Sequence, residues 1–202
     1  MEWNRGMTHN SAKADPAPLG LMGFGMTTVL LNLHNAHLVP MGGAILAMGL
    51  VFGGATQFVA GLLEYANGNT FGMTAFMSYG AFWLSLVVLL FLPQWGLAPA
   101  SPPALMGGYL LMWGLFTAIM TIGTLRASRM HQVVFTSLTV LFVLLGAAEI
   151  LEQPVLTLVA GYEGMFCGFS AIYLAAVELL AGQVGHAVAP VDAPTMPIEV
   201  PA

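Results

Sequence analysis

Charge is what this 202-residue sequence has least of: Lys and Arg number 4, Asp and Glu 9, and charged residues make up 6% of the chain against 58% hydrophobic. Soluble domains carry about 25% charged residues, so the chain cannot cover a water-facing surface. A water-soluble globular enzyme and a disordered polypeptide are both excluded. Few cations and a formal charge of −5 leave no basic surface for a nucleic acid. The single cysteine, Cys167, cannot form an intramolecular disulfide and sits in an apolar run as a small packing residue. No Lys or Arg lies inside an apolar stretch, which removes both a voltage sensor and the simplest counter-ion for a buried anion. His34 and His37 stand three apart, but no third ligand is in reach, and no phosphate loop is present; no metal and no cofactor are expected.

The sequence does contain six long apolar stretches, running approximately over 19–39, 41–63, 71–92, 105–125, 133–151 and 156–180. Each is long enough to cross a hydrocarbon core about 30 Å thick as a helix. None alternates as an outer-membrane strand would. Pro16 and Pro18 precede the first stretch, Pro40 divides the first two, and Pro93, Pro99, Pro102 and Pro103 fill the connection before the fourth. Pro154 separates the fifth from the sixth, and no proline interrupts any of them. The expectation is an all-α polytopic membrane protein with six transmembrane helices in one domain, residues 15–183. A polar tail, 1–14, precedes it and a Pro-rich tail, 184–202, follows; both are expected to be disordered. The first stretch is expected to be a retained span rather than a signal peptide, because no small-residue cleavage site follows it.

Arg5 and Lys13 lie before the first span, and Arg126 and Arg129, beside His131, lie between the fourth and fifth. With six spans these regions share a side, which the positive-inside rule makes cytoplasmic, along with both termini. Two small-residue faces, Gly49-x-x-x-Gly53 with Gly42 and Ala60, and Gly164-x-x-x-Gly168 with Gly161, allow close helix contact, either inside one bundle or between protomers. Polar groups within the spans include Thr27, Asn32, Gln57, Glu64, Glu149, Glu163 and Glu178. Glu64, Glu149 and Glu178 lie near span ends within reach of interfacial water, whereas Glu163 is one to two turns inside the sixth span. Ahead of the first span, Asp15 can cap the helix, and its free N–H groups and positive dipole end would attract an anion.

Pro16-Ala-Pro-Leu-Gly-Leu-Met-Gly-Phe-Gly-Met-Thr-Thr28, followed by Asn32-Leu-His-Asn35, resembles the signature of the acetate uptake transporter family, the YaaH-like proteins. Gly61-Leu-Leu-Glu-Tyr65, Gly68-Asn-Thr-Phe-Gly72, Thr74-Ala-Phe-x-Ser-Tyr-Gly80, Phe135-x-Ser-Leu-Thr-Val-Leu-Phe142 and Ser170-Ala-Ile-Tyr-Leu174 continue the likeness in order, over roughly Asp15 to Leu180. One departure is Asp15, where the family usually has Asn before Pro-Ala-Pro; another is that Glu149 and Glu163 are not signature residues.

The resemblance implies a ring-shaped homo-hexamer of six-helix protomers, each with its own substrate path. It also implies a narrow apolar constriction made by Phe24, Tyr79 and Leu138, with Ala171 matching a further pore-lining position. Asn32, Gln57 and nearby threonines such as Thr27 are candidates to hydrogen-bond a substrate carboxyl group along the path, and Glu64 and Glu163 are candidate proton-linked carboxyls. The expected function is transport of small monocarboxylates, chiefly acetate with succinate as a second substrate, across the inner (plasma) membrane and coupled to protons. A small weak acid crosses an apolar constriction most cheaply as its neutral form. A passive acetate or anion channel is the alternative. An intramembrane serine protease at Ser170 is a distant one, since no histidine lies at useful depth beside it. The partners expected are small carboxylates, the lipid bilayer and other copies of the chain, with no nucleic acid and no enzymatic activity. Cysteines introduced at Ala100 and at His186 are expected to react with an impermeant reagent from opposite sides of the membrane; same-side labelling would overturn the six-span topology.

Overall fold

The computed structural model describes residues 14–191. It is helical throughout that range. The elements are α1 (Ala17–Asn35), α2 (Gly43–Ala66), α3 (Thr70–Phe91), α4 (Pro103–Gly123), α5 (Arg129–Leu151) and α6 (Pro154–Val184). Local chemistry sets the borders. The Asp15 carboxylate accepts from the Ala17 N–H at 2.9 Å, and Pro18 sits in the first turn, where a missing N–H costs nothing. Asn69 Oδ1 caps α3 by accepting from Gly72 N at 3.0 Å. Ser128 Oγ caps α5 by accepting from His131 N at 3.4 Å. The α6 helix runs to Val184 and stops at Gly185, whose φ of 73° is a left-handed conformation that glycine adopts freely.

Five of these helices, α2 to α6, combine the length and hydropathy needed to cross a membrane. The sixth, α1, has 19 residues, about 28 Å of helix, but Thr27, Thr28 and Asn32 dilute its hydropathy. All three are buried; their polarity faces other helices rather than lipid, so a less apolar helix is tolerated there. The second span is not the uniform helix its composition suggests, for Gly49–Thr56 is a π-helical segment between α-helical turns. Gly53 and Gly54 within it let α1 and α3 approach, with Thr27 packed over the first and Leu84 over the second. Residues 185–191 turn back along α6, where the Tyr173 hydroxyl donates to the Pro190 carbonyl at 3.3 Å and Val191 packs against the core. The rest of the two tails expected to be disordered, 1–13 and 192–202, lies outside the described residues.

Neighbour relations close a ring: α1 packs on α6 and α2, α6 on α5, α5 on α4, and α2 on α3. The junctions use opposite devices. Between α1 and α6 the backbones nearly touch. A Cβ on Gly161 would collide with Ala36 N, and one on Gly168 would lie 2.8 Å from the Gly25 carbonyl oxygen. Between α3 and α4, large rings fill the gap: Tyr79 packs edge-on against Phe116, and Phe82 against Trp113, with centroids 5.6 and 5.3 Å apart. Gly49, Gly53, Gly164 and Gly168 therefore all serve contacts within the protomer. Gly164 makes room for the Asn32 amide, with which an added Cβ would collide. Gly164→Ala is expected to destabilise the protein by about 1–3 kcal/mol through overpacking, read as a lower thermal midpoint in detergent, whereas Gly108→Ala, with nothing within 4 Å of its Cβ, should leave that midpoint unchanged or raise it.

Candidate functional site

Inside the ring, a cavity of about 80 Å³ is bounded by α1, α2, α3 and α5. That is the space of two or three water molecules. One end is marked by Ala17, Asn69 and His131, close to where α1, α3 and α5 begin; Phe24, Tyr79 and Leu138 line it farther along those helices. The three lie about 10–14 Å from the starts of α1, α3 and α5 at about 1.5 Å per residue, so three helices bring them to similar depth.

The aromatic groups are held firmly. Phe24 and Tyr79 have ring centroids 5.8 Å apart, and Tyr79 also packs on Phe135 at 6.2 Å. The Tyr79 hydroxyl donates to Thr117 Oγ1 at 3.1 Å, and Thr117 in turn donates to the Trp113 carbonyl at 2.7 Å. That chain leads into α4, which does not line the cavity. The hydroxyl is thereby turned away, and the cavity meets a hydrocarbon ring.

The polar lining comes chiefly from α2. Gln57 and Glu64 are seven residues apart, hence on one helix face, and are 1% and 3% exposed. Asn69 Nδ2 donates to Glu64 Oε2 at 2.9 Å, and Gly72 leaves room for that pair, since a Cβ there would lie 2.9 Å from Glu64 Cδ. Glu64 Oε1 and Gln57 Oε1 are buried and have no hydrogen-bond partner among the described residues. Both unpaired atoms are acceptors. Glu64, read from sequence as reaching interfacial water, instead turns inward.

Phe24, Tyr79, Leu138, Gln57 and Glu64 therefore share one cavity. Thr27, Asn32, Ala171 and Glu163 are not among the residues lining it. Thr27 is fully buried at the α1–α2 contact, its hydroxyl donating to the Met48 carbonyl at 3.4 Å. Asn32 sits toward the opposite end of α1, donating to the Thr28 carbonyl at 2.9 Å and accepting from Asn35 at 3.0 Å. Ala171 is completely enclosed in the core. Glu163 lines a separate groove on the outside of α5 and α6 with Gln132, Thr136 and Phe166, where Ser137 Oγ donates to it at 2.7 Å. Ser170 donates to the Phe166 carbonyl at 2.8 Å. No cluster of three or more His, Cys, Asp or Glu suited to a metal occurs among the described residues.

His131 and Asn69 are polar lining residues that sequence reasoning missed. Starting the fifth span at 133 left His131 in a loop, but the Ser128 cap starts α5 at Arg129. His131, Val134, Phe135 and Leu138 then form an i, i+3, i+4, i+7 stripe on one face, and all four line the cavity. That periodicity was present in the sequence. The anion site expected at the start of α1 is not formed as pictured: the Ala17 N–H is taken by Asp15 and Pro18 has none.

Comparison with known proteins adds independent observations. A profile of the GPR1/FUN34/yaaH family matches residues 3–197. The chain is 54% identical over 182 residues to the succinate-acetate/proton symporter SatP of Escherichia coli (strain K12), covering 90% of this chain and 97% of that protein. It is 34% identical over 177 residues to acetate permease A of Emericella nidulans, covering 79% of this chain and 59% of the other. Among solved structures, that of the bacterial acetate channel SatP superposes with a TM-score of 0.88 at 54% identity, over 89% of this chain and 99% of that one.

Proposed function

The chain belongs to the GPR1/FUN34/yaaH family, and from that premise we propose that it carries small monocarboxylates, acetate first and succinate second, through the constriction of Phe24, Tyr79 and Leu138 together with a proton. It is a multi-pass membrane protein; its placement in the inner membrane, with both termini cytoplasmic and the cavity mouth facing that side, belongs to the same proposal. The characterised relatives named above are a symporter, a permease and a channel, none of them an enzyme.

One observation carries the mechanism: the cavity is lined by no Lys or Arg, and its unpaired buried atoms, Gln57 Oε1 and Glu64 Oε1, are acceptors. A carboxylate brings only acceptors and would meet them with repulsion. An undissociated acid brings an O–H donor, and so does a protonated Glu64 facing a carboxylate. Either way a proton accompanies the substrate past the aromatic rings, where a bare carboxylate would forfeit its hydration without replacement. Gln57, whose amide presents a donor or an acceptor according to its rotation, can serve the carboxyl group at the constriction.

Six copies in a ring remain the expected assembly. Gly49, Gly53, Gly161, Gly164 and Gly168 meet neighbours within the protomer, whereas Gly42 has nothing within 4 Å of an added Cβ. A second reading, an anion channel, draws support from the description of the solved relative. Labelled-acetate flux in proteoliposomes separates the two. One acid with one proton is electroneutral, so accumulation is expected to follow an imposed pH gradient, to exceed that of protein-free vesicles and to ignore an imposed membrane potential. Flux that follows the potential instead would establish the channel. At the constriction, Leu138→Ala is expected to raise the lactate-to-acetate flux ratio about fourfold, the equivalent of about 0.8 kcal/mol for one methylene-sized relief. An unchanged ratio at normal folded yield would defeat the constriction assignment.

A further inference from the structure

Of the residues lining the cavity, His131 is the one whose side chain can carry a positive charge. It stands at the mouth, two residues into α5. Ser128 Oγ lies 2.8 Å from its Nδ1, fixing the ring against the helix cap. Glu178 Oε1, from α6, lies 3.8 Å from its Nε2. The second Glu178 oxygen is buried without a hydrogen-bond partner among the described residues. Glu64 from α2 and Asp15 from the segment ahead of α1 are near enough to act on the Glu178 charge, and Arg129 occupies the first position of His131's own helix. One carboxyl group, that of Glu178, thus stands against the imidazole where the cavity meets its mouth.

We propose that His131, backed by Glu178, is the group through which an acid in the cavity exchanges its proton with water at the mouth. This rests on the carboxylic-acid transport reading above and names its proton-exchange residue. The step balances simply. The acid O–H gives its proton to the neutral imidazole, forming carboxylate and imidazolium; the imidazolium then passes that proton to water or to Glu178 and returns to its starting form. Glu178 stabilises the imidazolium while it exists, and the carboxylate, once charged, leaves by the wet end because the ring-lined constriction bars its return. Run backwards, the same steps load an anion with a proton before it enters. An imidazole suits the task because it changes charge between about pH 5 and 8, whereas a carboxylate such as Glu178 alone would supply no cation to meet the anion.

The test uses the reconstituted full-length chain and acetate flux measured against pH on the mouth side. His131→Gln is expected to lower the maximal rate about tenfold with KM little changed, and to remove the limb of the pH–rate profile between about pH 5.5 and 7.5. His131→Lys, which keeps a positive charge but holds its proton, should be as slow as the glutamine variant near neutral pH. A lysine variant as fast as wild type would show that His131 only attracts anions and would overturn the exchange role. Glu178→Gln retains the imidazole but withdraws its counter-charge, so the limb should move to lower pH; an unmoved limb would overturn the proposal even if no His131 variant folds. A wild-type profile in His131→Gln at normal yield also sinks it, leaving the transport reading intact. No acetate flux from the wild type above protein-free vesicles would sink that reading and this inference together.

Discussion

Everything in this molecule is referred to the contact between α1 and α6, where glycine lets two backbones meet. Gly25, Gly161, Gly164 and Gly168 bring the helices so close that each would have a side chain driven into the other's backbone or into Asn32. A helix held at that distance cannot rotate without steric conflict, and its rotation decides which residues face inward. Phe24 lies one residue from Gly25, so the contact that pins α1 also aims Phe24 at the cavity. The same contact resolves the cost of placing Thr27, Thr28 and Asn32 in a membrane helix, because it buries them among protein rather than lipid.

Opposite that seam, the ring is held by volume instead of closeness. Tyr79, Phe82, Trp113 and Phe116 keep α3 and α4 apart by the width of their rings. The division is functional. Tight backbone packing on one side and large rings on the other leave a small space lined by hydrocarbon, into which α2 projects two polar side chains. The π-helical segment Gly49–Thr56 ends immediately before Gln57; a wider helical turn there resets the phase of the following residues, and Gln57 and Glu64 face the cavity together.

The resulting site selects by what it withholds. With no Lys or Arg in its lining and with unpaired acceptors on its polar side, it would, on the proposed reading, disfavour the anion that dominates at neutral pH and accommodate the acid that is scarce. Proton coupling then needs no moving charge at the constriction itself. It needs a place near the mouth where the proton is surrendered, the role proposed for His131 beside Glu178.

Much of this was legible in the residues. Six spans followed from run length and proline placement, because a bilayer imposes a minimum length that composition reveals directly. The ordered motifs around Phe24, Tyr79 and Leu138 pointed to three residues that line one cavity. What sequence could not decide is depth, facing and partner. Glu64 near the end of its span looked exposed and is 3% exposed, because Asn69 and Gly72 from the next helix fold over it. Glu163, by position the more interior carboxylate, is half-buried in a separate groove between α5 and α6, since facing depends on which helices pack beside α6 rather than on distance along it. The glycine stripes were open to use inside a bundle or between protomers, and only the packing of α1 on α6, and of α1 and α3 against the π-helical segment of α2, assigned them. His131 was hidden by a border drawn a few residues late. The sequence alone determined that the chain crosses a membrane and where it does so, because hydrophobic length is a local property. The tertiary structure decided which polar groups share the cavity, because that depends on helix rotation, and rotation is set by contacts between residues far apart in the chain.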